Sequence, residues 1–257
     1  PDAVYSQGSQ TTNVFVPRFV LAWDLSDSQT ASLTVARGYR PGFIDAGKSG
    51  SAVMPEYLWN YELGYISSFF ENRVQLRGNL FYYDWREMQQ QIANPDPFIR
   101  EPLTVNASRA RVIGFEASMG WSPFQGFDAR ASVGYLDTQY LEVDSPELEG
   151  IVGNEFPEAP PFSAAVILSY EHPTGFFGSA DWAYRDHSFA TGDVTNTRPI
   201  GSSSIFNARA GYDWGYARLT FFVNNILDSK YLLGADNVGG AYVGDRRLIG
   251  VQLDMRY

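Results

Sequence analysis

The chain has 257 residues, 44% of them hydrophobic, a formal charge of −10 and no cysteine. Acidity on this scale excludes a nucleic-acid partner, whose phosphates call for clustered Lys and Arg, and without thiols there is neither a disulfide framework nor a thiolate metal site. A mean hydropathy of −0.23 and no apolar run near 18 residues exclude membrane-crossing helices; a transmembrane β-barrel stays open, because its strands keep one face wet.

In chain order the sequence alternates between apolar and polar positions, the period of a strand. Residues 13–24 (NVFVPRFVLAWD) put Phe15, Pro17, Phe19, Leu21 and Trp23 on one face, with pairing expected to be interrupted at Pro17. A short turn leads to residues 30–39, where Ala31, Leu33 and Val35 alternate with Ser32, Thr34 and Ala36, and residues 41–55 read as a long loop. Residues 57–70 and 74–85 form the next pair around a tight turn at Glu71, Asn72 and Arg73, and residues 88–108 read as a second long connection.

The unit then recurs three times: residues 109–121 and 127–135, residues 164–170 and 176–185, and residues 206–212 and 217–225. Each pair is closed by a short turn and separated from the next by a long loop. The last loop, 228–244, includes the glycine-rich GADNVGGAYVG (234–244), which follows no strand-to-helix context and reads as a mobile loop rather than a phosphate cradle. The terminal stretch, RLIGVQLDMRY (247–257), sets Ile249, Val251, Leu253, Met255 and Tyr257 on a wholly apolar face.

About eleven strands result, with short turns at one end and long loops at the other. That is the plan of a bacterial outer-membrane barrel. Arg77, Asp128, Arg130, Asp181, Arg209, Arg218, Asp254 and Arg256 fall on the polar face; a wet lumen suits them better than a packed sandwich core, where charges need partners. The 16 Tyr, 18 Phe and 6 Trp supply interfacial girdles: Tyr65, Trp121, Tyr170 and Tyr212 at the turn side, Tyr82, Tyr135 and Trp182 at the loop side. An antiparallel barrel of one chain closes with an even strand number. Eleven strands leave parallel ends, so residues 1–257 are expected to be the C-terminal part of a larger barrel, a single-domain fragment; a miscount by one would instead give a complete small barrel. The start at Pro1, with no Met or signal peptide, is expected of a processed form or a fragment.

Several stretches resemble the TonB-dependent outer-membrane receptors. ARGYRPGF (36–43) resembles the family's S-R-G-F-R-P-G segment, NYELGY (60–65) its N-Y-E-L-G strand, and LFYYDWREMQQQ (80–91) its F-Y-x-D-Y-x-D-x-Q continuation. RVIGFEASMGWSP (111–123) resembles x-x-x-G-x-E-x-E, and VNNILDSKYL (223–232) resembles V-x-N-L-F-D-K-x-Y. The matches follow the family's order over nearly the whole chain, with Tyr257 where Phe is commoner and Ile226 where Leu is frequent. The resemblance implies an all-β antiparallel transmembrane barrel of 22 strands, of which about eleven C-terminal strands are present and the N-terminal plug domain is absent. It also implies uptake of a scarce bulky solute, a ferric siderophore in the nearest subgroup, with energy from TonB acting on the missing N-terminal region. Outer-membrane lipid and the barrel-assembly machinery are the other partners implied, the latter reading Ile249, Val251, Leu253, Met255 and Tyr257.

No cofactor, metal or catalytic residue is expected. His172 sits in a turn, and Asp186 and His187 are sequence neighbours whose side chains a strand would send to opposite faces, unlike a converging acid–base pair. The acidic residues Glu142, Asp144, Glu147 and Glu149 lack the spacing of a calcium loop and read as solvated charge. Ligand contacts are expected from the loop-side lumen rim, with Tyr39, Arg40, Tyr83, Arg185 and Arg246 as candidates because Arg and aromatic rings recognise anionic or aryl solutes. The plainer alternative makes Tyr39 and Tyr83 girdle residues and the arginines lumen salt bridges. Two alternatives to the receptor are a complete small barrel, acting as a porin or an omptin-like hydrolase, and a soluble β-sandwich.

Overall fold

Eleven strands pair into one antiparallel sheet, and six short ones decorate its loops. The computed structural model describes residues 13–45, 51–92, 94, 98, 102–236 and 239–256. In chain order the strands are β1 (Arg18–Ser26), β2 (Gln29–Arg40), β3 (Phe43–Asp45), β4 (Ser51–Val53), β5 (Glu56–Phe69), β6 (Val74–Ile92), β7 (Leu103–Trp121), β8 (Phe127–Glu142) and β9 (Phe162–Glu171). They continue as β10 (Phe176–Arg185), β11 (Ser188–Phe189), β12 (Pro199–Ile200), β13 (Ser203–Asp213), β14 (Ala217–Asn224), β15 (Leu232–Ala235), β16 (Ala241–Val243) and β17 (Leu248–Met255). The large sheet runs β1-β2-β5-β6-β7-β8-β9-β10-β13-β14-β17, and β3/β4, β11/β12 and β15/β16 are separate two-stranded ribbons. Every neighbour is the next large strand in sequence, a pure meander. Since each pairing is antiparallel, the edge strands β1 and β17 point the same way.

All five tight turns lie at one end, at residues 27–28, 70–73, 122–126, 172–175 and 214–216, and the long connections leave from the other. Local chemistry closes the turns. Phe70, Glu71 and Asn72 all take positive φ (53°, 57° and 67°), and Arg73 N–H donates to the Phe70 carbonyl at 3.1 Å. Gly175 has φ 105°, and a Cβ there would stand 2.3 Å from the Asp213 carbonyl oxygen, so only glycine fits. At the N-terminal edge, Pro17 has no N–H to give; its carbonyl accepts from Arg37 N–H at 2.9 Å and ladder pairing starts at Arg18.

Three strands outrun the sequence reading. β6 continues to Ile92, β7 starts at Leu103 and β8 continues to Glu142, so much of the expected 88–108 connection is strand. At 19 residues each, β6 and β7 have roughly twice the 9–11 that a tilted strand needs to cross a bilayer. Strict alternation fails because the faces exchange part-way. Glu87 sits at φ 52°, and the register of β8 against β7 slips between Arg109 and Ala110. Below this point Trp85 pairs with Ala110 on the concave face; above it Met88 pairs with Ala107, and Leu103, Val105 and Ala107 join Ala110 and Val112 in one buried cluster. Odd and even residues of one strand thus share a core, which a period of two cannot show.

That cluster is the principal core. It joins Ile92 and Tyr140 to Leu148, Ile151, Phe156 and Val194 of the loops, so it lies at the loop end rather than inside the sheet. The glycine-rich 234–244 segment, read as a mobile loop, instead holds the ribbon β15/β16, with Leu232 opposite Val243 and Ala235 opposite Ala241. In β17, Ile249, Val251, Leu253 and Met255 share one exposed face opposite Val223, Phe221, Leu219 and Ala217 of β14, while Gly250, Gln252 and Asp254 share the other; Tyr257 lies outside the described residues.

Candidate functional site

The concave face of the sheet encloses about 730 Å³, lined by Ser32, Glu62, Arg77, Asn79, Glu116 and Ser132 among others. Register builds it. Thr34, Glu62, Phe81 and Gly114 lie side by side across β2, β5, β6 and β7, and Ser32, Gly64, Asn79 and Glu116 form the next row. Three phenylalanines on this wet face lie over a glycine of the neighbouring strand: Phe81 over Gly114, Phe177 over Gly211 and Phe222 over Gly250. A Cβ at Gly114 would come within 2.5 Å of the Phe81 ring, so the glycines let the rings lie flat and leave the lumen open. Asn60 donates to Glu62 at 3.3 Å, yet the Oδ1 atoms of Asn60 and Asn79 are buried with no partner. Together with Glu62 and Glu116 they make an acceptor-rich stretch, suited to whatever brings N–H groups into the lumen.

At the loop end, side chains bind the connections to the extended strands. Gln89 donates to the carbonyls of Pro41 (2.9 Å) and Met54 (3.0 Å), and its own N–H reaches Glu56 at 2.7 Å. Asn106 accepts from Met54 N–H at 2.8 Å and donates to the Glu87 carbonyl at 2.8 Å. Asn196 bonds both backbone groups of Glu155, at 2.8 and 3.0 Å, fastening loop 186–202 to loop 143–161. Beneath it, burial pushes the Asp193 carboxyl up, but donors from Arg198 N–H (2.6 Å) and the hydroxyls of Thr195 (2.8 Å) and Thr197 (3.2 Å) outweigh that and hold it below the usual carboxylate range. The mouth is a packed layer.

The five expected ligand contacts separate by role. Tyr39 pairs with Tyr57 on the face of Leu33 and Val35, its ring 5.7 Å from Tyr57, so it points away from the lumen. Arg40 pairs across to Glu56 on the lumen side, 3.8 Å from its carboxylate, and is exposed. Tyr83 also faces the lumen, stacked on Phe81 at 5.1 Å, between Asn60 and Val112 in register. Arg185 spends both Nη atoms, at 3.2 Å each, on the carbonyls of Leu232 and Leu233, which anchors the last loop to β10. Arg246 grips Asp228 with two guanidinium nitrogens, Nε at 2.9 Å, while Arg247 N–H adds a third donor at 3.0 Å.

The Arg246 fork and the Arg247 N–H hold the Asp228 carboxyl far below its ordinary value. Because the folded pKa is depressed, the clamp is complete above the unfolded carboxylate value near about 3.9 and weakens only as pH falls below it. Loop 225–247 should therefore resist protease equally from pH 5 to 8, and Asp228→Asn should raise its cleavage rate throughout that range.

Asp186 and His187, expected on opposite faces of a strand, lie between β10 and β11 with the ring 3.2 Å from the carboxylate, and His187 Nε2 comes within 3.9 Å of Glu155 in loop 143–161. His172 Nδ1 lies 2.6 Å from the Thr174 hydroxyl and accepts from Thr174 N–H at 3.2 Å, closing its turn. His187 N–H donates to Asp186 at 2.7 Å, which with the ring bond holds that carboxyl below its usual range. Among the described residues no three His, Asp or Glu side chains are grouped to hold a metal. The sequence reading missed the Asn60, Asn79, Gln89 and Asn106 contacts. Asparagine and glutamine carry no periodic signal, and only the register shows their company.

A family model described as TonB dependent receptor-like, beta-barrel matches residues 2–226. The chain belongs to the TonB-dependent receptor β-barrel family. With that family it is placed in the outer membrane of Gram-negative bacteria. A curated relative, the ferric-pyoverdine M114 receptor PbuA of Pseudomonas sp. strain M114, is 27% identical over 255 residues, covering 93% of this chain and 29% of its own length. The siderophore receptor PiuA from Acinetobacter baumannii superposes with a TM-score of 0.75 at 20% identity, over 92% of this chain and 35% of that one. The ferric yersiniabactin uptake receptor FyuA from Yersinia pestis gives a TM-score of 0.75 at 19% identity, over 92% and 36%. At such identities the two solved receptors establish the shared fold. The chain spans about a third of the length of the relatives it matches.

Proposed function

We propose that residues 1–257 are the C-terminal portion of the barrel domain of an active-transport receptor that imports a ferric siderophore through the outer membrane, driven by TonB. The observation that carries this reading is the eleven-stranded meander, with tight turns at one end and a packed layer of loops over a polar lumen at the other. The similarity to a receptor named for ferric-pyoverdine supports the choice of solute. Arg40 and Tyr83 are the lumen-side ligand contacts, and Arg185 and Arg246 act one step back by fixing the loops that complete the mouth. Tyr39 takes the girdle role. The acceptor-rich stretch of Asn60, Glu62, Asn79 and Glu116 receives donors of the lumen's occupant, which the family resemblance makes a plug domain. The apolar face of Ile249, Val251, Leu253 and Met255 meets lipid and belongs to the strand read by the barrel-assembly machinery.

The test is growth of a receptor-deletion strain on candidate ferric siderophores, with the full-length gene restored. One siderophore should rescue growth in a TonB-dependent manner. Arg40→Gln with Tyr83→Leu should weaken rescue without lowering the amount of receptor in the membrane. Rescue by none of them, or rescue that persists without TonB, would contradict the reading.

A further inference from the structure

Two stretches that stand apart in the sequence, ARGYRPGF (36–43) and LFYYDWREMQQQ (80–91), meet at the loop end. Arg40 precedes a proline, which keeps its backbone extended, and it stays in the ladder as the last residue of β2, opposite Glu56. The chain then leaves for the ribbon β3/β4 and returns at Met54. Gln89 closes that excursion with one side-chain amide. Its Nε2 donates to the carbonyls of Pro41 at 2.9 Å and Met54 at 3.0 Å, so both ends of the loop are tied to it. Asn106, opposite Gln89 in the ladder, accepts from Met54 N–H at 2.8 Å. The left-handed Glu87 sets this up. By shifting the parity of β6 it turns Met88 and Ile92 to the loop core and Gln89 to loop 41–55.

The same residue reaches the carboxylate that faces Arg40. Gln89 N–H donates to Glu56 Oε2 at 2.7 Å, and that oxygen lies 3.8 Å from Arg40 Nη1. Glu56 is only 7% exposed, and a carboxylate out of water needs donors or a cation to stay charged. Among the described residues, Arg40 is the cation paired with it. The Arg40 side chain is itself 62% exposed. A buried charge therefore holds one side of the guanidinium, Gln89 holds the backbone that follows it, and the other side is open to the mouth. An arginine held in this way loses little freedom when an anion arrives, and its planar fork can meet two oxygens at once.

We propose that Gln89 and Glu56 are positioning residues for Arg40, and that the guanidinium they hold selects ferric complexes bearing an anionic group over neutral ones. This rests on the reading that Arg40 meets the solute. The experiment uses the full-length receptor with Gln89→Ala, Glu56→Gln and Arg40→Gln. In detergent, the rate at which phenylglyoxal modifies Arg40, read by mass spectrometry, should rise about 3-fold in Gln89→Ala and Glu56→Gln, the scale of one exposed ion pair. The rate at Arg86, paired with Asp84, should not change. In cells, radioactive iron is supplied as an anionic tris-catecholate complex or a neutral tris-hydroxamate complex, and the wild type should prefer the anionic one. For that complex the half-saturating concentration, rather than the maximal rate, should rise about 10-fold in Arg40→Gln and about 3-fold in the other two. Arg40→Gln combined with Gln89→Ala should be no worse than Arg40→Gln alone. Unchanged Arg40 reactivity in both variants, or additive losses in the double variant, would overturn the positioning. Unaltered uptake by Arg40→Gln would instead bring down the reading that Arg40 meets the solute. Should Gln89→Ala fail to form a heat-resistant barrel, Glu56→Gln, which keeps the shape of the side chain, decides alone. Import of neither complex would count against the siderophore reading, and Arg40 reactivity then decides the positioning.

Discussion

Tyr140→Ala should cost about 3–5 kcal/mol, the range for emptying a large aromatic site in a packed core. Tyr140 is 0% exposed, lies 4.8 Å from the Phe156 ring and donates to Gln90 at 2.9 Å. The cavity would open beneath Leu148, Ile151 and Val194, which belong to two different loops, so both should loosen together. Limited proteolysis of the full receptor should show cleavage in loops 143–161 and 186–202 while the barrel keeps its resistance to heat in detergent. Tyr140→Phe retains the ring and strands one Gln90 acceptor, at a cost of about 1 kcal/mol. Equal resistance of wild type and Tyr140→Ala would mean that the loop core does not hold the mouth together.

A second substitution acts on the membrane band. Leu80 lies on the outward face between Leu63 and Phe115, and its neighbour Asn79 lies on the lumen face between Gly64 and Glu116. Leu80→Arg should destabilise the barrel by about 2–4 kcal/mol, the cost of an arginine presented to lipid near the midplane, and Asn79→Arg by little. Denaturant unfolding of the receptor in lipid vesicles compares the two directly. Because the residues are adjacent on one strand, propensity and depth are nearly matched, and a difference between them reports the face alone.

Much of the barrel is legible in the sequence because both of its signals are periodic. In residues 176–185, Phe176, Ala180, Trp182 and Tyr184 alternate with Ser179, Asp181 and Arg185, and strand β10 occupies the same bounds. The tight turns are legible too, since glycine, asparagine and proline mark backbone that must reverse. The limits have physical causes. In β6 and β7 a left-handed Glu87 and a register slip exchange the faces, so MQQQI loses its alternation although the ladder continues to Ile92. Arg185 and Arg246 were identifiable as loop-side cations, but their use as clasps depends on Leu232, Leu233 and Asp228, brought near by the last loop. Tyr39 has the composition of a ligand contact; its parity with Leu33 and Val35, kept in the ladder by pairing with Tyr57, turns it outward. Face and depth are properties of the register, and single residue types do not encode them.

The central claim is that one face of the eleven-stranded sheet meets lipid and the other lines a wet lumen. β17 offers the most direct test, because its two faces differ in polarity at every position from 249 to 254. Single cysteines at positions 249 and 251 to 254 of the full receptor, in outer-membrane vesicles, would be probed with a water-soluble maleimide and with a lipid-confined quencher of a thiol-linked fluorophore. The fold predicts that Gln252→Cys and Asp254→Cys react from water, whereas Ile249→Cys, Val251→Cys and Leu253→Cys report lipid. Uniform labelling along the strand, or alternation in the opposite phase, would contradict it.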